Sequence, residues 1–320
     1  MFLRGLIAVG VVMLLGLGGM PPAAQGPEKV DFMLDWFPNP NHVPIFAAQE
    51  KGYFTEEGLA VTILPPADPT DPMKLTAAGR VDVAVNYLPN VILARSQGLP
   101  VTSIGLLVEP GISVAMALKE SGITSLRDLK GKTVGYAVAP FNPIIFEAMA
   151  DHVGLKKGEY ELINIGFNLI PALLAKKVHA VIGVLTNYET IRIEMEGKEA
   201  VIFRPEDHGV PERYQLIFIA NEATLERRPE VLKRFVRAAA RGIQFTLQHP
   251  DEALELFFKL HPNTRNDFNR RAFQATLPVY ARAQAQHEAR WVKYQDFLFQ
   301  RGVIKARSEA GKLYTNRFGP

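Results

Sequence analysis

The feature that most constrains this fold is a repeated alternation of short apolar segments with helical ones. Four apolar segments in the first third of the chain have the length and composition of buried strands; they are 29–34, 59–64, 81–85 and 101–107. Helical segments separate them, and the same order returns between residues 112 and 184. Parallel neighbouring strands need a crossover connection, which is usually a helix. The alternation therefore predicts two mainly parallel sheets covered by helices.

The last third of the chain has a different pattern. A strand at 214–220 is followed only by helical segments, at 229–248, 250–260, 266–285 and 287–301. We therefore predict an α/β protein with two lobes, each a mainly parallel sheet flanked by helices, and an all-helical C-terminal part. A chain of 320 residues exceeds what one hydrophobic core usually serves, which agrees with two lobes.

The predicted division of the chain follows from where the pattern restarts. Residues 28–114 form the first part of lobe I, 115–216 form lobe II, and 217–320 return to lobe I. Two lobes that face one cleft close by a hinge motion where the chain crosses between them. We expect the hinge near 113–117 and 216–220.

The N-terminus has the layout of a secretory signal. Arg4 precedes an apolar run from Leu6 to Gly18, and small or turn-forming residues continue to Ala24. The run is shorter than the ~20 residues that a membrane-spanning helix needs. Residues 1–24 are thus predicted to be a signal peptide that directs the protein to the periplasm. An uncleaved membrane anchor is the alternative.

Composition and motifs exclude several classes of function. The sequence has no cysteine, so disulfides, thiolate metal sites, a cysteine nucleophile and a lipid-modified cysteine are all excluded. The net charge is only +3 and the basic residues are scattered, which gives no support for nucleic acid binding. None of the short motifs of hydrolases, zinc proteases or nucleotide-binding enzymes is present. We predict no enzyme, no cofactor and no metal.

The richest polar and aromatic segment lies between residues 35 and 42, directly after the first predicted strand. Trp36 offers a flat face, and the side chains of Asp35, Asn39 and His42 offer hydrogen bonds. Ligands of open α/β sheets bind outside the carboxyl ends of the strands. The segment therefore predicts a site for a small planar heterocycle. The alternative is structural, with Trp36 closing the sheet end and His42 capping the next helix.

Further polar and aromatic residues follow other predicted strands, and we expect them to line the same cleft; they are Asn86, Tyr87, Tyr136, Phe141, Tyr188 and Glu189. Trp36, Tyr87 and Tyr188 are the candidates for stacking. The carboxylates of Asp35, Glu109 and Glu189 are candidates for the amine of an aminopyrimidine, since charge-assisted hydrogen bonds are the strong ones. A helix cap or a surface ion pair is the alternative for each carboxylate.

Three of these segments resemble the NMT1/THI5-like group of binding proteins; they are 34–42, 44–54 and 79–84. The resemblance implies a type II periplasmic binding fold, with the permease of an ABC importer as partner. It also implies a thiamin pyrimidine precursor as cargo, either a formylaminopyrimidine or a hydroxymethylpyrimidine. Riboflavin or an alkylsulfonate is the alternative cargo. We expect a monomeric solute-binding protein with a small-molecule ligand.

Yeast members of the same group are pyrimidine synthases, which are the distant alternative. They consume pyridoxal phosphate and one of their own histidines, and they carry a cysteine-rich stretch. In this sequence Asn86 and Asn90 stand where the synthases have lysine and histidine, and the cysteine stretch is missing. The amide of an asparagine cannot form an imine with the cofactor as a lysine does, and it cannot donate a ring as the consumed histidine does. The resemblance therefore favours binding over synthesis.

Overall fold

The computed structural model describes residues 26–319, and the predicted signal peptide, residues 1–24, lies outside the described residues. No helix within 26–319 is long and apolar enough to cross a membrane. The ten strands of this part of the chain are β1 Glu28–Met33, β2 Leu59–Leu64, β3 Val83–Asn86, β4 Val101–Val108, β5 Ser113–Leu118, β6 Thr133–Tyr136, β7 Glu161–Asn164, β8 Ala180–Leu185, β9 Ala200–Phe203 and β10 Leu216–Asn221.

The strands form two sheets of five, and each sheet contains a parallel core. The first sheet has the order β2-β1-β3-β10-β4, and the second has the order β7-β6-β8-β5-β9. β1 is parallel to β2 and β3, whereas β10 is antiparallel to both of its neighbours. In the second sheet β6 is parallel to β7 and β8, and β5 is antiparallel to β8 and β9. Two sheets flanked by helices are confirmed, but each sheet is mixed, because two of its four strand pairings are parallel and two are antiparallel.

Helices cover the sheets and make up the C-terminal part; they are α1 Val43–Glu50, α2 Tyr53–Glu56, α3 Asp71–Ala77, α4 Leu88–Ser96, α5 Phe141–His152, α6 Leu169–Leu174, α7 Glu189–Met195, α8 Glu222–Arg227, α9 Pro229–Gln248, α10 Pro250–Leu260, α11 Asp267–Thr276, α12 Glu288–Gln300 and α13 Ala310–Leu313. α9 and α10 begin with proline at the first helical position, where its missing N–H is not needed. Both match their predicted bounds.

The long helix α9 positions the segment that follows β1. It buries one apolar face, including Phe235 and Val236, and it crosses α1 closely at Gly242. A Cβ atom at Gly242 would lie 2.2 Å from the backbone oxygen of Pro44. The absence of a side chain therefore lets the two helices touch. This contact fixes α1 and, with it, the polar loop at 35–42.

The predicted helix at 266–285 is wrong beyond Thr276. α11 ends there, a short 3₁₀ turn follows at Leu277–Val279, and Pro278 cannot donate the hydrogen bond that a continuing helix requires. The chain then runs along the edge of β4, where Gln284 accepts from the N–H of Leu106 at 2.8 Å and donates to its carbonyl at 3.0 Å. The segment is extended because it hydrogen-bonds to the free edge of the first sheet, and this tertiary contact overrides its local preference for helix.

The chain changes sheet at two crossing segments, 109–112 and 204–215, which are tied together. Gln215 accepts from the backbone N–H groups of Ile112 and Ser113, at 3.0 and 3.1 Å. Arg213 is fully buried and donates to the carbonyl of Ser113. The residues predicted for the hinge, 113–117 and 216–220, lie instead within β5 and β10. The lobe division at residues 114 and 216 stays a prediction.

Candidate functional site

Asp35 holds the centre of the site on the first sheet. It follows β1, and its side chain is almost completely buried. One carboxylate oxygen accepts from His42 Nε2 at 2.8 Å, and the other accepts from the hydroxyl of Tyr87 at 2.8 Å. Burial and the negative charge of Asp35 hold the pKa of the Tyr87 hydroxyl well above its usual range. Tyr87 therefore stays protonated and keeps donating to Asp35.

His42 supports this carboxylate from behind. Its Nδ1 accepts from the backbone N–H of Asn39 at 3.3 Å, so the hydrogen-bond pattern assigns the ring proton to Nε2. The side chain is completely buried. Both ring nitrogens are thus used within the protein, and His42 orients Asp35 without reaching the cleft.

Asn39 shapes the same loop. Its side-chain oxygen accepts from the backbone N–H and from the side-chain amide of Asn41, both at 2.9 Å, and so caps the short turn at Pro40–His42. Such a capping bond is worth about 1 kcal/mol. The hydroxyl of Tyr280 also donates to the carbonyl of Pro40. The loop is therefore held in one conformation by bonds within the protein, without a contribution from a ligand.

Glu189 provides the polar group of the opposite sheet. It begins α7, and its Oε2 accepts from the backbone N–H of Leu185 at 2.7 Å. Burial raises the pKa of this carboxyl to about 7; two backbone hydrogen bonds, including the one from Leu185, oppose the rise, and the charge of Asp35 adds to it. Glu189 can therefore hold a proton or release it near neutral pH.

Gly183 opens the floor of the cleft. It lies in β8 with φ of +97°, in the left-handed region, and a Cβ there would sit 2.8 Å from Asn142 Oδ1. A side chain at this position would thus be strained and crowded. Asn142 in turn accepts from the N–H of Val138 at 2.8 Å. The backbone of β8 is left bare where the two lobes face each other.

The space between the lobes has a narrow polar part and a wide apolar part. The polar cleft has a volume of about 20 Å³ and is lined by Asp35, Trp36, Asn39, Asn41, Tyr87, Ala137, Val138, Gly183, Leu185, Tyr188 and Glu189. The adjoining aromatic chamber has a volume of about 450 Å³ and is lined by Trp36, Phe37, Phe167, Leu169, Ile170, Pro171, Leu174, Tyr188, Glu189, Arg192 and Phe268. Trp36, Tyr188 and Glu189 belong to both.

Direct contacts join the two sides of the cleft. The side-chain amide of Asn187 donates to Asn41 Oδ1 at 2.7 Å and to the hydroxyl of Thr276 at 2.8 Å. The rings of Tyr87 and Phe141 stack at a centroid distance of 5.7 Å. We call the three hydrogen-bonded residues Asn41, Asn187 and Thr276 the latch. Together with the ring contact, the latch describes a closed arrangement of the lobes.

The predicted residues divide into three groups by location. Six line the polar cleft: Asp35, Trp36, Asn39, Tyr87, Tyr188 and Glu189. Three are buried behind its walls: His42, Asn86 and Phe141. Asn86 is engaged there, because its side-chain oxygen accepts from the amide of Asn90 and from the N–H of Tyr87. Ligand contact by any of these residues stays a prediction.

Two predicted residues lie outside both cavities. Tyr136 ends β6 and pairs with β7 and β8, and it lines neither the polar cleft nor the aromatic chamber. Glu109 lies in the first crossing segment, where its carboxylate is 3.6 Å from Arg290 and 40% exposed. Glu109 therefore forms a surface ion pair, which was the alternative to ligand contact for this carboxylate.

Sequence reasoning missed several residues of the site. Phe268 enters the chamber from α11, about 230 residues after Trp36, and no local signal connects the two. Arg192 was also missed. It stands one helical turn after Glu189, and that spacing places both residues on one face of α7. A cation therefore lines the chamber. No cluster of possible metal ligands occurs within residues 26–319.

Known proteins match the chain over most of its length. The NMT1/THI5 like family matches residues 39–253. A formylaminopyrimidine-binding protein of Halalkalibacterium halodurans is 43% identical over 72% of this chain and 69% of its own. A 4-amino-5-hydroxymethyl-2-methylpyrimidine phosphate synthase of Legionella pneumophila is 33% identical over 92% of this chain and 93% of its own.

The solved structures support the fold. The alkanesulfonate-binding protein of Xanthomonas axonopodis aligns with a TM-score of 0.71 at 13% identity, covering 92% of this chain and all of its own. At this identity the likeness shows the fold alone, which is the type II periplasmic binding fold. Sequence match, fold and the two-sided cleft agree, and the chain belongs to the NMT1/THI5-like family.

Proposed function

We propose that this protein is the periplasmic receptor of an ABC importer and captures a thiamin pyrimidine precursor without chemical change. The observation that carries the proposal is the buried carboxyl of Glu189 in a cleft whose walls include the rings of Trp36, Tyr87 and Tyr188. Flat aromatic faces bind a planar heterocycle, and one buried polar group fixes its orientation. The fold supports binding between two lobes that close.

The chemistry of Glu189 fits an aminopyrimidine. The ring nitrogen of such a molecule accepts a hydrogen bond and the neighbouring amine donates one. A carboxyl that carries one proton offers the complementary pair, a donor and an acceptor. Because its pKa is about 7, Glu189 can take that form near neutral pH. The hydrogen bond from Leu185 holds the carboxyl in place for this contact.

The relatives support the same cargo by their names, since one of them is called a formylaminopyrimidine-binding protein. Others are called synthases, so the enzymatic alternative needs its own argument. The amide of Asn90 donates to the side-chain oxygen of Asn86, and neither residue has an amine or an imidazole. The described linings of the cleft and the chamber contain no lysine for a cofactor imine. We therefore propose binding alone, by a monomer.

Isothermal titration of the purified protein tests the proposal. We expect 4-amino-5-hydroxymethyl-2-methylpyrimidine or its formylamino analogue to bind, and riboflavin and taurine to give no heat. The matched variants Glu189→Gln and Glu189→Ala test the mechanism. A glutamine amide also donates and accepts, so Glu189→Gln should bind within about threefold of wild type, whereas Glu189→Ala should lose about tenfold or more.

Other outcomes would contradict specific parts of the proposal. Binding of riboflavin or taurine in place of the pyrimidines would reassign the cargo and leave the receptor role intact. Formation of a pyrimidine when the protein is incubated with pyridoxal phosphate and iron would contradict the proposal that the protein only binds its cargo. Equal affinities for Glu189→Ala and wild type would remove Glu189 from the site.

A further inference from the structure

The free volume beside Glu189 lies on the apolar side of the site. The polar cleft, at about 20 Å³, is far smaller than the aromatic chamber. The aromatic chamber, at about 450 Å³, has the size of ordinary ligand pockets, roughly 300 to 1,000 Å³. Trp36, Tyr188 and Glu189 line both spaces. A heterocycle at Glu189 would therefore lie where the two spaces join, and a group attached to it can extend into the chamber.

The walls of the chamber are built for an apolar group. Trp36 and Phe167 meet edge to face with centroids 4.4 Å apart, and Tyr188 packs on Phe268 at 4.7 Å. Leu169, Ile170, Pro171 and Leu174 add aliphatic surface. Apolar walls of this kind form no hydrogen bonds with water. An apolar group therefore binds to them favourably, because its binding removes apolar surface from water.

The charged groups of the chamber lie at its margins, so most of its wall is apolar. Arg192 pairs with Glu196 at 2.9 Å and places its guanidinium beside the ring of Phe268, with its side chain half exposed. Glu189 belongs to the shared wall. Trp36 Nε1 is buried and has no hydrogen-bond partner within residues 26–319.

We propose that the aromatic chamber binds an apolar arm carried by the heterocycle, so that this receptor prefers substituted aminopyrimidines over the small parent molecule. The inference rests on the proposed function, because it takes the aminopyrimidine at Glu189 as its starting point. It adds a specificity determinant, which is the volume enclosed by α6, α7, α11 and the loop after β1.

A pair of ethers tests the inference by calorimetric titration. The probes are the methyl and n-butyl ethers of 4-amino-5-hydroxymethyl-2-methylpyrimidine, compared with the parent alcohol. Each buried methylene is worth about fourfold in affinity, so the butyl ether should bind at least about tenfold tighter than the methyl ether. Leu174→Trp narrows the chamber and should reduce this gain while it leaves the affinity for the parent within about twofold.

Two further variants separate filling from general damage. Ala175→Trp adds the same side chain at an exposed neighbouring position that lines neither the chamber nor the polar cleft, and it should keep the full gain. Leu174→Ala removes part of the wall and should reduce the butyl gain several-fold, which serves as the test if Leu174→Trp does not fold. Thermal unfolding of each variant reports folding independently.

The outcomes distinguish the two proposals. If the butyl ether binds no tighter than the methyl ether, or if Leu174→Trp weakens the parent and the ether equally, the chamber inference is wrong and the proposed function stands. If neither the parent nor any ether binds to the wild-type protein, both the proposed function and the inference are wrong.

Discussion

The two sides of the cleft are built differently. On the first sheet, the carboxylate of Asp35 receives hydrogen bonds from His42 and Tyr87, and His42 is itself held by the backbone of Asn39. On the second sheet, Glu189 receives one hydrogen bond from Leu185 and has a pKa near 7. The first carboxylate is part of a satisfied network, whereas the second is buried with few partners.

This difference teaches how the work of a binding site can be divided. A buried network in which every polar group has a partner holds its members rigid and contributes to folding. A buried carboxyl with a raised pKa costs stability when it is charged, and it keeps capacity for a ligand. We therefore assign shape to the Asp35 side and recognition to the Glu189 side. Three experiments can break or sharpen this assignment.

The largest effect is expected for stability on the Asp35 side. Asp35→Ala leaves His42 Nε2 and the Tyr87 hydroxyl buried without an acceptor, which should lower the free energy of unfolding by about 4 kcal/mol. Glu189→Ala removes the acceptor of Leu185 but also removes a buried carboxyl that is costly to ionise, so it should cost less than half as much. Urea denaturation at pH 8 without added ligand measures both. Equal losses would mean that the two carboxyls have the same structural role.

The next effect is a pH dependence on the Glu189 side. The pKa of Glu189 is about 7 in the folded protein and 4.5 as its ordinary value, so the folded state binds the extra proton between these pH values. Stability from this group is complete below pH 4.5 and is lost as the pH rises through 7. Relative to Glu189→Gln, the wild-type protein should lose about 3 kcal/mol between pH 4.5 and pH 8.

Denaturation curves of the two proteins across this pH range provide the measurement. The glutamine variant is the matched control, because it keeps the shape of the side chain and removes its titration. A difference between the two proteins that does not change with pH would show that Glu189 is not buried as a free carboxyl.

The smallest effect is expected for ligand binding by Trp36, and the other tryptophan of the chain, Trp291, serves as the control. Trp36 lies in the wall of the cleft, so Trp36→Ala should weaken ligand binding at least several-fold, corresponding to ~1 kcal/mol or more, with little loss of stability. Trp291 is completely buried and stacks on Tyr314, so Trp291→Ala should cost ~3 to 5 kcal/mol of stability and leave affinity unchanged. Loss of stability without loss of affinity in Trp36→Ala would place Trp36 in the core.

The sequence predicted the fold better than the site because strands and helices have local causes. α9 and α10 follow from a proline at the first position and an amphipathic face, and both bounds were predicted correctly. The segment after Thr276 was mistaken for helix because its partner is the distant edge of β4, where Tyr280 pairs with Val108. A local pattern cannot report a contact made across the fold.

The site shows the same limit at the level of side chains. Residues at strand ends could be placed near the cleft, as Asp35, Tyr87 and Glu189 show. The direction of a side chain could not be predicted, and so His42 was expected in the cleft although both of its ring nitrogens face the protein. Phe268 needed the position of α11, which only tertiary packing determines.

The latch has a consequence for how such a receptor can be tuned. Asn187 donates to Asn41 and to Thr276. Asn187 and Thr276 line neither the polar cleft nor the chamber, so the bond between them contributes equally to closure whichever molecule lies in the cleft. The observed affinity of a ligand that binds the closed form scales with the fraction of receptor already closed. Substitutions of Asn187 or Thr276 would therefore raise or lower the affinities for all cargoes by one common factor. The strength of capture would then change without a change in selectivity.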